Sequence, residues 1–549
     1  MKKSSLALTA LFLFIYILPL GMRPFTVPDE SRYAEIPREI LVTGDWVVPR
    51  LNGLRYFEKP VLGYWLNALS IALLGENTFA MRLSSALATG ISALMVFFIL
   101  RRFGGGTRVG MVGAAAYLTS LLVFALGVIN ILDSMLSMFL TGALVSFFAA
   151  YRRQGPARFI FLALFGSFCG LAFLVKGFLA FAVPVITIVP FMIWERRFIW
   201  FFRLLWVPLL TLLLVTLPWA IMIHIREGDF WNYFFWTEHI KRFFSPIPGQ
   251  HQKPFWYFIP VLAGGALPWT FTVPAVLSGI RDQGLGRDPL VRFALCWFIF
   301  PFLFFSACGG KLIPYILPCF PPLVIVIAIG LESCLERGRV RAFNLSALLL
   351  AMVTGGAAVV LAVTQIIDLP GFRAYGPQEI WKWMVATAGL MVWGGALLLS
   401  SFWSDTGKKL ALFVAGPLVL LASVNFIVPD RVMEEKAPGA LLERNRHLVN
   451  PRTLVVSDEY LFHAVCWTFR RSDVYLLERS GELRYGLDHD ESGHLRLLTV
   501  EGLRKIVEGS RGRTRVALIT EEKRWREWRD LLPEPEIEER DNGFVFVIF

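Results

Sequence analysis

Long unbroken apolar runs set the pattern of this chain, and short polar segments punctuate them. The runs fall at about 5–22, 79–100, 109–130, 133–151, 159–174, 177–194, 202–224, 256–279, 291–307, 312–333, 343–364, 383–402 and 410–428. Each is near the roughly 20 residues that a helix needs to cross a bilayer. Lipid offers no partner to an unpaired backbone group, so each run is predicted as a helix. Beyond them the pattern changes. TLVVSD, DVYLLE, RVALIT and FVFVIF read as strands, while EYLFHAVCWTF and a segment around 499–508 read as helices. The expected fold is an α-helical polytopic membrane protein of about 13 transmembrane helices. That membrane domain takes 1–429, with long loops at 23–78 and 225–255, and a small α/β domain takes 430–549.

Charge decides the orientation. Of the 549 residues, 56% are apolar and 17% charged, and the mean hydropathy is +0.57; a soluble chain carries about a quarter charged residues. The net charge of +12 would suit nucleic acid were it not so placed. It concentrates in alternate short loops, at Lys2/Lys3, Arg101/Arg102/Arg108, Arg152/Arg153/Arg158, Arg196/Arg197/Arg203, Arg281/Arg287/Arg292, Arg337/Arg339/Arg341 and Lys408/Lys409. The positive-inside rule assigns these to the cytoplasm. The N-terminus then lies inside, and both long loops and the tail lie outside. The first run has lysines before an apolar stretch but no small-x-small cleavage site, so an uncleaved anchor is expected rather than a signal peptide. The six cysteines are scattered, without paired spacing, and read as buried thiols.

Candidate chemistry gathers on the outer side. In the first loop Asp29 and Glu30 follow the first span closely, and Arg32, Glu35, Arg38 and Glu39 continue at helical spacing. Glu35, Arg38 and Glu39 read as the solvated face of an amphipathic helix with ion pairs a turn apart. Asp29, Glu58 and Lys59 are held near the bilayer surface by apolar flanks and read as functional. The second loop interrupts an aromatic belt with Glu238, His239, Lys241 and Arg242. His239 and Glu58 offer a nitrogen and an oxygen to zinc, although two protein ligands fall short of a usual site. Asp133, Lys176 and Lys311 are costly at membrane edges, which favours function; for the two lysines, snorkelling competes equally. Cations suit a phosphate leaving group, and aromatics suit an isoprenoid tail. With no Walker motif or GxGxxG, nucleotide use is disfavoured. The residues alone reach an enzyme or carrier for a lipid-linked phosphate substrate, with a flippase as the rival class, and do not reach the sugar.

Several stretches carry a family likeness: PDESRYAEIPREIL, GDWVVPRLNGLRYFEKPVLGYW, VKGFLAFAVPV, FWNYFFWTEHIKRF, PFWYFIPV, GKLIPYILPCF, VPDRVMEEK and SGELRYGL. They span nearly the whole chain, which resembles the lipid A aminoarabinose transferases, class C glycosyltransferases related to the protein O-mannosyltransferases. The resemblance implies transfer of 4-amino-4-deoxy-L-arabinose from undecaprenyl phosphate to lipid A phosphates at the periplasmic face of a Gram-negative inner membrane. Polymyxin resistance would follow from the lowered surface charge. It implies a monomer with lipid partners and no nucleic acid. By resemblance Lys59 grips the leaving phosphate, supported by Arg32, Lys241 and Arg242. Lys311 and Tyr315 join Glu58 as substrate contacts. Asp29 matches the carboxylate that serves as catalytic base in the mannosyltransferases; positioning the acceptor or holding the sugar's ammonium fits it equally. Asp133 is the next candidate for the amine. A divalent metal such as zinc would sit at Glu58 and His239, but no cofactor is required by the chemistry. A sibling enzyme acting on protein or another glycan shares these expectations.

Overall fold

The computed structural model describes residues 2–241, 252–282, 287–367, 373–490, 493–510 and 514–549. All thirteen apolar runs contain helix, in three forms. Among the described residues nine helices, from Thr78–Phe103 to Thr406–Ile427, are long and apolar enough to cross a membrane unaided. Two further runs are pairs of shorter helices, Thr107–Thr119 with Leu121–Gly127 bent by 63° and Phe255–Gly265 with Trp269–Arg281 bent by 94°. The last two, Leu6–Ile17 and Leu179–Trp194, are shorter apolar helices. The chain is a multi-pass membrane protein.

The chain divides into two compact units, 1–20 with 83–222 and 231–427, and 21–82 with 223–230 and 428–549. In the first unit small residues let helices close. A side chain on Gly166 would meet the Pro208 carbonyl at 2.0 Å, so only glycine permits that crossing.

The second unit joins the first long loop to the tail. A six-stranded sheet forms its core, in the order β5-β4-β3-β6-β8-β7, from β3 (Leu454–Ser457), β4 (Tyr475–Leu477), β5 (Leu497–Leu498), β6 (Val516–Glu521), β7 (Ile537–Asp541) and β8 (Phe544–Ile548). β3, β4, β5 and β6 pair in parallel, while β8 runs antiparallel to both β6 and β7. Val456, Leu477, Leu503, Leu518, Trp525 and Val547 pack together against it. The sheet has two strands that the apolar pattern does not announce. β7 reads IEERD and forms a polar edge, as exposed edges commonly do. Its turn to β8 is Asn542-Gly543, both at positive φ (51° and 85°), the geometry of a tight hairpin.

A second hairpin, β1 (Arg50–Leu51) and β2 (Leu54–Arg55), uses the same device in the first loop, with Asn52 and Gly53 at φ 57° and 73°. Asn52 is buried there. Its amide nitrogen donates to the Val474 carbonyl at 2.7 Å, and its oxygen accepts from the Val474 amide at 2.9 Å. Loop and tail are thereby stitched through backbone groups that would otherwise be buried without partners.

Candidate active site

The helix Asp29–Thr43 organises the loop. Asp29 and Glu30 occupy its first turn, where carboxylates complement the helix dipole, and Gly44 closes it in the left-handed conformation. Adjacent in sequence, Asp29 and Glu30 do different work. Glu30 is buried and accepts from Arg82 Nε at 2.7 Å, Arg23 Nη2 at 3.1 Å, and the Thr26 amide and hydroxyl at 2.9 Å each. Burial opposes its ionisation, yet Arg82 and Arg23 outweigh burial and bring its pKa down to about 2. Glu30 is a strut. Asp29 is 57% exposed and pairs with Arg32.

Arg32 is buried and bridges Asp29 to Glu482, which the tail supplies from its SGELRYGL stretch. Glu482 also lies 3.2 Å from the Tyr56 hydroxyl, which in turn lies 3.0 Å from Glu58 Oε2. One phenolic proton therefore serves two carboxylates. Burial opposes ionisation of Glu482, and Arg32 with His463 more than offsets it, holding this carboxyl well below the usual range. His463 is buried, with Nε2 3.9 Å from Glu482 and neither ring nitrogen hydrogen-bonded among the described residues. Burial pushes its imidazole below the usual value against the pull of Glu482. Lys59 is half-buried beside this network and donates to the Glu58 carbonyl at 2.8 Å. One unit thus brings together Asp29, Arg32, Glu58 and Lys59.

The second half of the same helix departs from expectation. Glu35, Arg38 and Glu39 are buried rather than solvated. Arg38 clamps Glu35 with two bonds of 2.8 and 2.6 Å, and Glu39 accepts from the Gly53 amide at 2.9 Å. The polar face that looked like a water-facing one is covered by the hairpin and the tail helix Phe462–Phe469, so its charges satisfy one another and the backbone inside the unit.

The helix-bundle unit holds a separate cluster. Asp133 stands in the first turn of Leu132–Tyr151 and Lys176 in the last turn of Pro156–Lys176, each at the end its charge favours. Lys176 Nζ donates to Asp133 Oδ1 at 2.6 Å and lies 5.4 Å from the centre of the Tyr315 ring. Lys176 is thus ion-paired, not snorkelling. Lys311 is buried and donates to the carbonyls of Cys308 at 2.5 Å and Lys253 at 3.0 Å. It does not reach for solvent either.

The helix Asn232–Lys241 continues the second loop, but the side chains of His239 and Lys241, and Arg242 altogether, lie outside the described residues. Among the described residues no group of three or more His, Cys, Asp and Glu side chains is arranged to hold a metal ion. Glu58 is the described half of the zinc pair considered from sequence.

Residues 3–234 match the family of dolichyl-phosphate-mannose-protein mannosyltransferases, and residues 433–548 match the C-terminal domain of the arabinosyl transferase ArnT. The chain is 39% identical over 497 residues to the undecaprenyl phosphate-alpha-4-amino-4-deoxy-L-arabinose arabinosyl transferase of Aeromonas salmonicida, covering 90% of this chain and 89% of that one. The chain belongs to this arabinosyl transferase family. A member from Shewanella sediminis is also 39% identical, over 90% of both chains, and one from Yersinia pestis is 37% identical over 90% of this chain and 89% of its own. The fold is that of the crystal structure of ArnT from Cupriavidus metallidurans bound to undecaprenyl phosphate, with a TM-score of 0.82 at 23% identity, covering 99% of this chain and 97% of that one.

Within this arabinosyl transferase family member, Tyr56, His463 and Glu482 are the network residues that the sequence reading passed over. Tyr56 and Glu482 stand inside stretches that carried the family likeness, YFEKP and SGELRYGL. Nothing local marked them, because their significance is a contact between residues 426 positions apart.

Proposed function

We propose that this chain moves 4-amino-4-deoxy-L-arabinose from undecaprenyl phosphate onto the phosphates of lipid A, and so lowers the negative charge that draws cationic peptides such as polymyxin. It is a polyprenyl-phosphate-dependent glycosyltransferase. The observation that carries the reading is the exposed Asp29 carboxylate, held by Arg32 in a network that reaches Glu58, the residue before Lys59.

An oxygen of the acceptor phosphate forms the new bond to C1 of the sugar. The bond from C1 to the undecaprenyl phosphate oxygen breaks, and the lipid phosphate leaves with the electron pair. The acceptor is already ionised at neutral pH, so a general base has little proton to remove. Asp29 accordingly orients the acceptor or the sugar's ammonium rather than taking a proton. Lys59 stabilises the charge growing on the leaving phosphate, the kind of contact that is stronger in the transition state than before it. Arg32, occupied by two carboxylates, acts as a positioning residue for Asp29. Lys241 and Arg242 support the leaving phosphate, Asp133 serves the amine, and Lys311 and Tyr315 serve the substrate from the bundle. No step is assigned to a metal. Transfer that is lost on chelation and restored by zinc would instead give Glu58 and His239 a metal to hold.

The basic loops set the orientation: N-terminus cytoplasmic, tail periplasmic, in a Gram-negative inner membrane. The chain acts as a monomer. The test is purified protein in detergent with aminoarabinose-linked undecaprenyl phosphate and lipid A, read by mass spectrometry. A lipid A product carrying one added aminoarabinose is expected. Transfer to a protein or another glycan instead would mean a sibling enzyme, and transfer retained in detergent, with no sealed compartment, would exclude a pure flippase.

A further inference from the structure

The helix-bundle unit carries a groove lined by arginines to which the proposed transfer assigns no role. It is an open groove of about 690 Å³ where the end of Leu179–Trp194 turns into the short helix Phe198–Leu204, and Arg158, Arg196, Arg197 and Arg203 all line it. What sets this loop apart is that four arginines converge on one groove, and two features leave them able to take a ligand. First, none of the four has a carboxylate partner among the described residues. Glu195, the acid next to the cluster in sequence, is taken by Arg292 and by the Tyr151 hydroxyl at 2.6 Å. Second, the arginines are held by aromatic faces, Arg158 at 5.3 Å from the Trp200 ring centre and Arg197 at 5.4 Å from that of Tyr151. Arg158 Nε donates to the Arg153 carbonyl at 2.9 Å; the ring contacts orient the guanidiniums and leave the remaining in-plane donors available.

The apolar surroundings identify the ligand class. Ile193 and Ile199 line the same groove and are exposed, and no residue of the helix Phe198–Leu204 is buried. A soluble anion such as phosphate or a nucleotide would leave these side chains in contact with water. A lipid satisfies both halves, its phosphate meeting the guanidiniums and its acyl chains covering the isoleucines. Basic pockets between helices at a membrane surface take anionic headgroups for this reason. Four unanswered charges also favour a net-anionic lipid over a zwitterionic one, whose own cation would be repelled. We propose that this groove is a binding site for an anionic phospholipid of the leaflet at this end of the bundle, with its headgroup phosphate held by Arg158, Arg196, Arg197 and Arg203.

The experiment is native mass spectrometry of the full chain, delipidated in detergent and titrated with phosphatidylglycerol or phosphatidylcholine. The variants are the pair Arg158→Gln/Arg197→Gln, and the pair Arg101→Gln/Arg102→Gln from a basic loop outside the groove. Thermal unfolding and transfer activity verify that both stay folded. Phosphatidylglycerol retention is expected to exceed phosphatidylcholine retention in the parent. It should fall about tenfold or more in the groove pair, at roughly 1 kcal/mol per arginine near a membrane surface, and by less than twofold in the control pair. Equal losses in both pairs would mean only diffuse surface charge, and unchanged retention in the groove pair would mean no site; either overturns the proposal. A parallel titration with inorganic phosphate separates the sources. Protection by phosphate at millimolar concentration without selective lipid retention would overturn the lipid assignment. Should the glutamine pair unfold, Arg158→Lys/Arg197→Lys keeps the charge but not the planar donors, and a retention fall of at least threefold is expected there.

Discussion

The two halves of the helix Asp29–Thr43 are built from the same residue types and hold their charge in opposite ways. In the first half one buried carboxylate, Glu30, faces two guanidiniums, Arg23 and Arg82, and stays ionised to a pKa of about 2. In the second half two buried carboxylates, Glu35 and Glu39, face one guanidinium, Arg38. Burial then wins, and the Glu35 carboxyl is driven well above its usual value, with Arg38 opposing and Glu39 adding to the rise. Burial acts against the charged form in both places; the count of cations per carboxylate decides the outcome. Asp29 belongs to neither pattern. Its exposure leaves it paired on one side and open on the other, the condition for meeting a substrate.

The hardest test of this contrast removes a cation from the first half. Arg82→Met leaves Glu30 buried with one partner, and stripping a partner from a buried pair costs about 3–5 kcal/mol. A fall in the thermal midpoint in detergent is expected, and an unchanged midpoint would break the comparison. Next are the exposed Asp29 and the half-buried Lys59, where the cost should be to rate and not to fold. Asp29→Asn and Lys59→Ala are each expected to cut transfer about 10²–10³-fold, Lys59 through loss of the cation that stabilises developing charge and Asp29 through loss of substrate orientation, with the melting curve unmoved.

The pH dependence should then divide along the helix. For Glu30 the folded pKa is about 2 against an ordinary glutamate value of 4.5. Its stabilisation is therefore complete above about pH 4.5 and lost as pH falls toward 2, worth about 3 kcal/mol. For Glu35 the sign reverses. Its folded pKa is raised, so its contribution is complete below the unfolded value and is lost as pH rises toward the folded one. Denaturation followed against pH in Glu30→Gln should lose the acid-side decline, and in Glu35→Gln the decline on the other flank. The smallest effect is expected at Glu482. Its side chain is 37% exposed, so solvent screens the pair with Arg32 and stability should change by less than about 1 kcal/mol. Transfer should still fall about tenfold in Glu482→Gln, because Arg32 and Tyr56 lose the carboxylate that fixes them. A double-mutant cycle with Tyr56→Phe should be non-additive if both act through one network.

The apolar period determined by itself that the bundle exists, where its helices lie and that an α/β segment follows. Bilayer thickness and the demands of unpaired backbone impose those features residue by residue, so local pattern suffices. The positions of Asp29, Glu58, Lys59, Asp133 and Lys176 were legible for a related reason: a charge beside a membrane span is costly enough to be noticed one residue at a time. What the sequence could not show is which charges meet. Glu35, Arg38 and Glu39 have the spacing of a solvated face, and only packing against the β1–β2 hairpin and the tail helix makes that face interior. Glu482 and His463 looked like tail residues until the fold placed them beside Arg32 and Tyr56. Partners 426 positions apart leave no periodic trace, and the tertiary structure alone decides whether a carboxylate is a strut, a shared proton site or an open hand for a substrate.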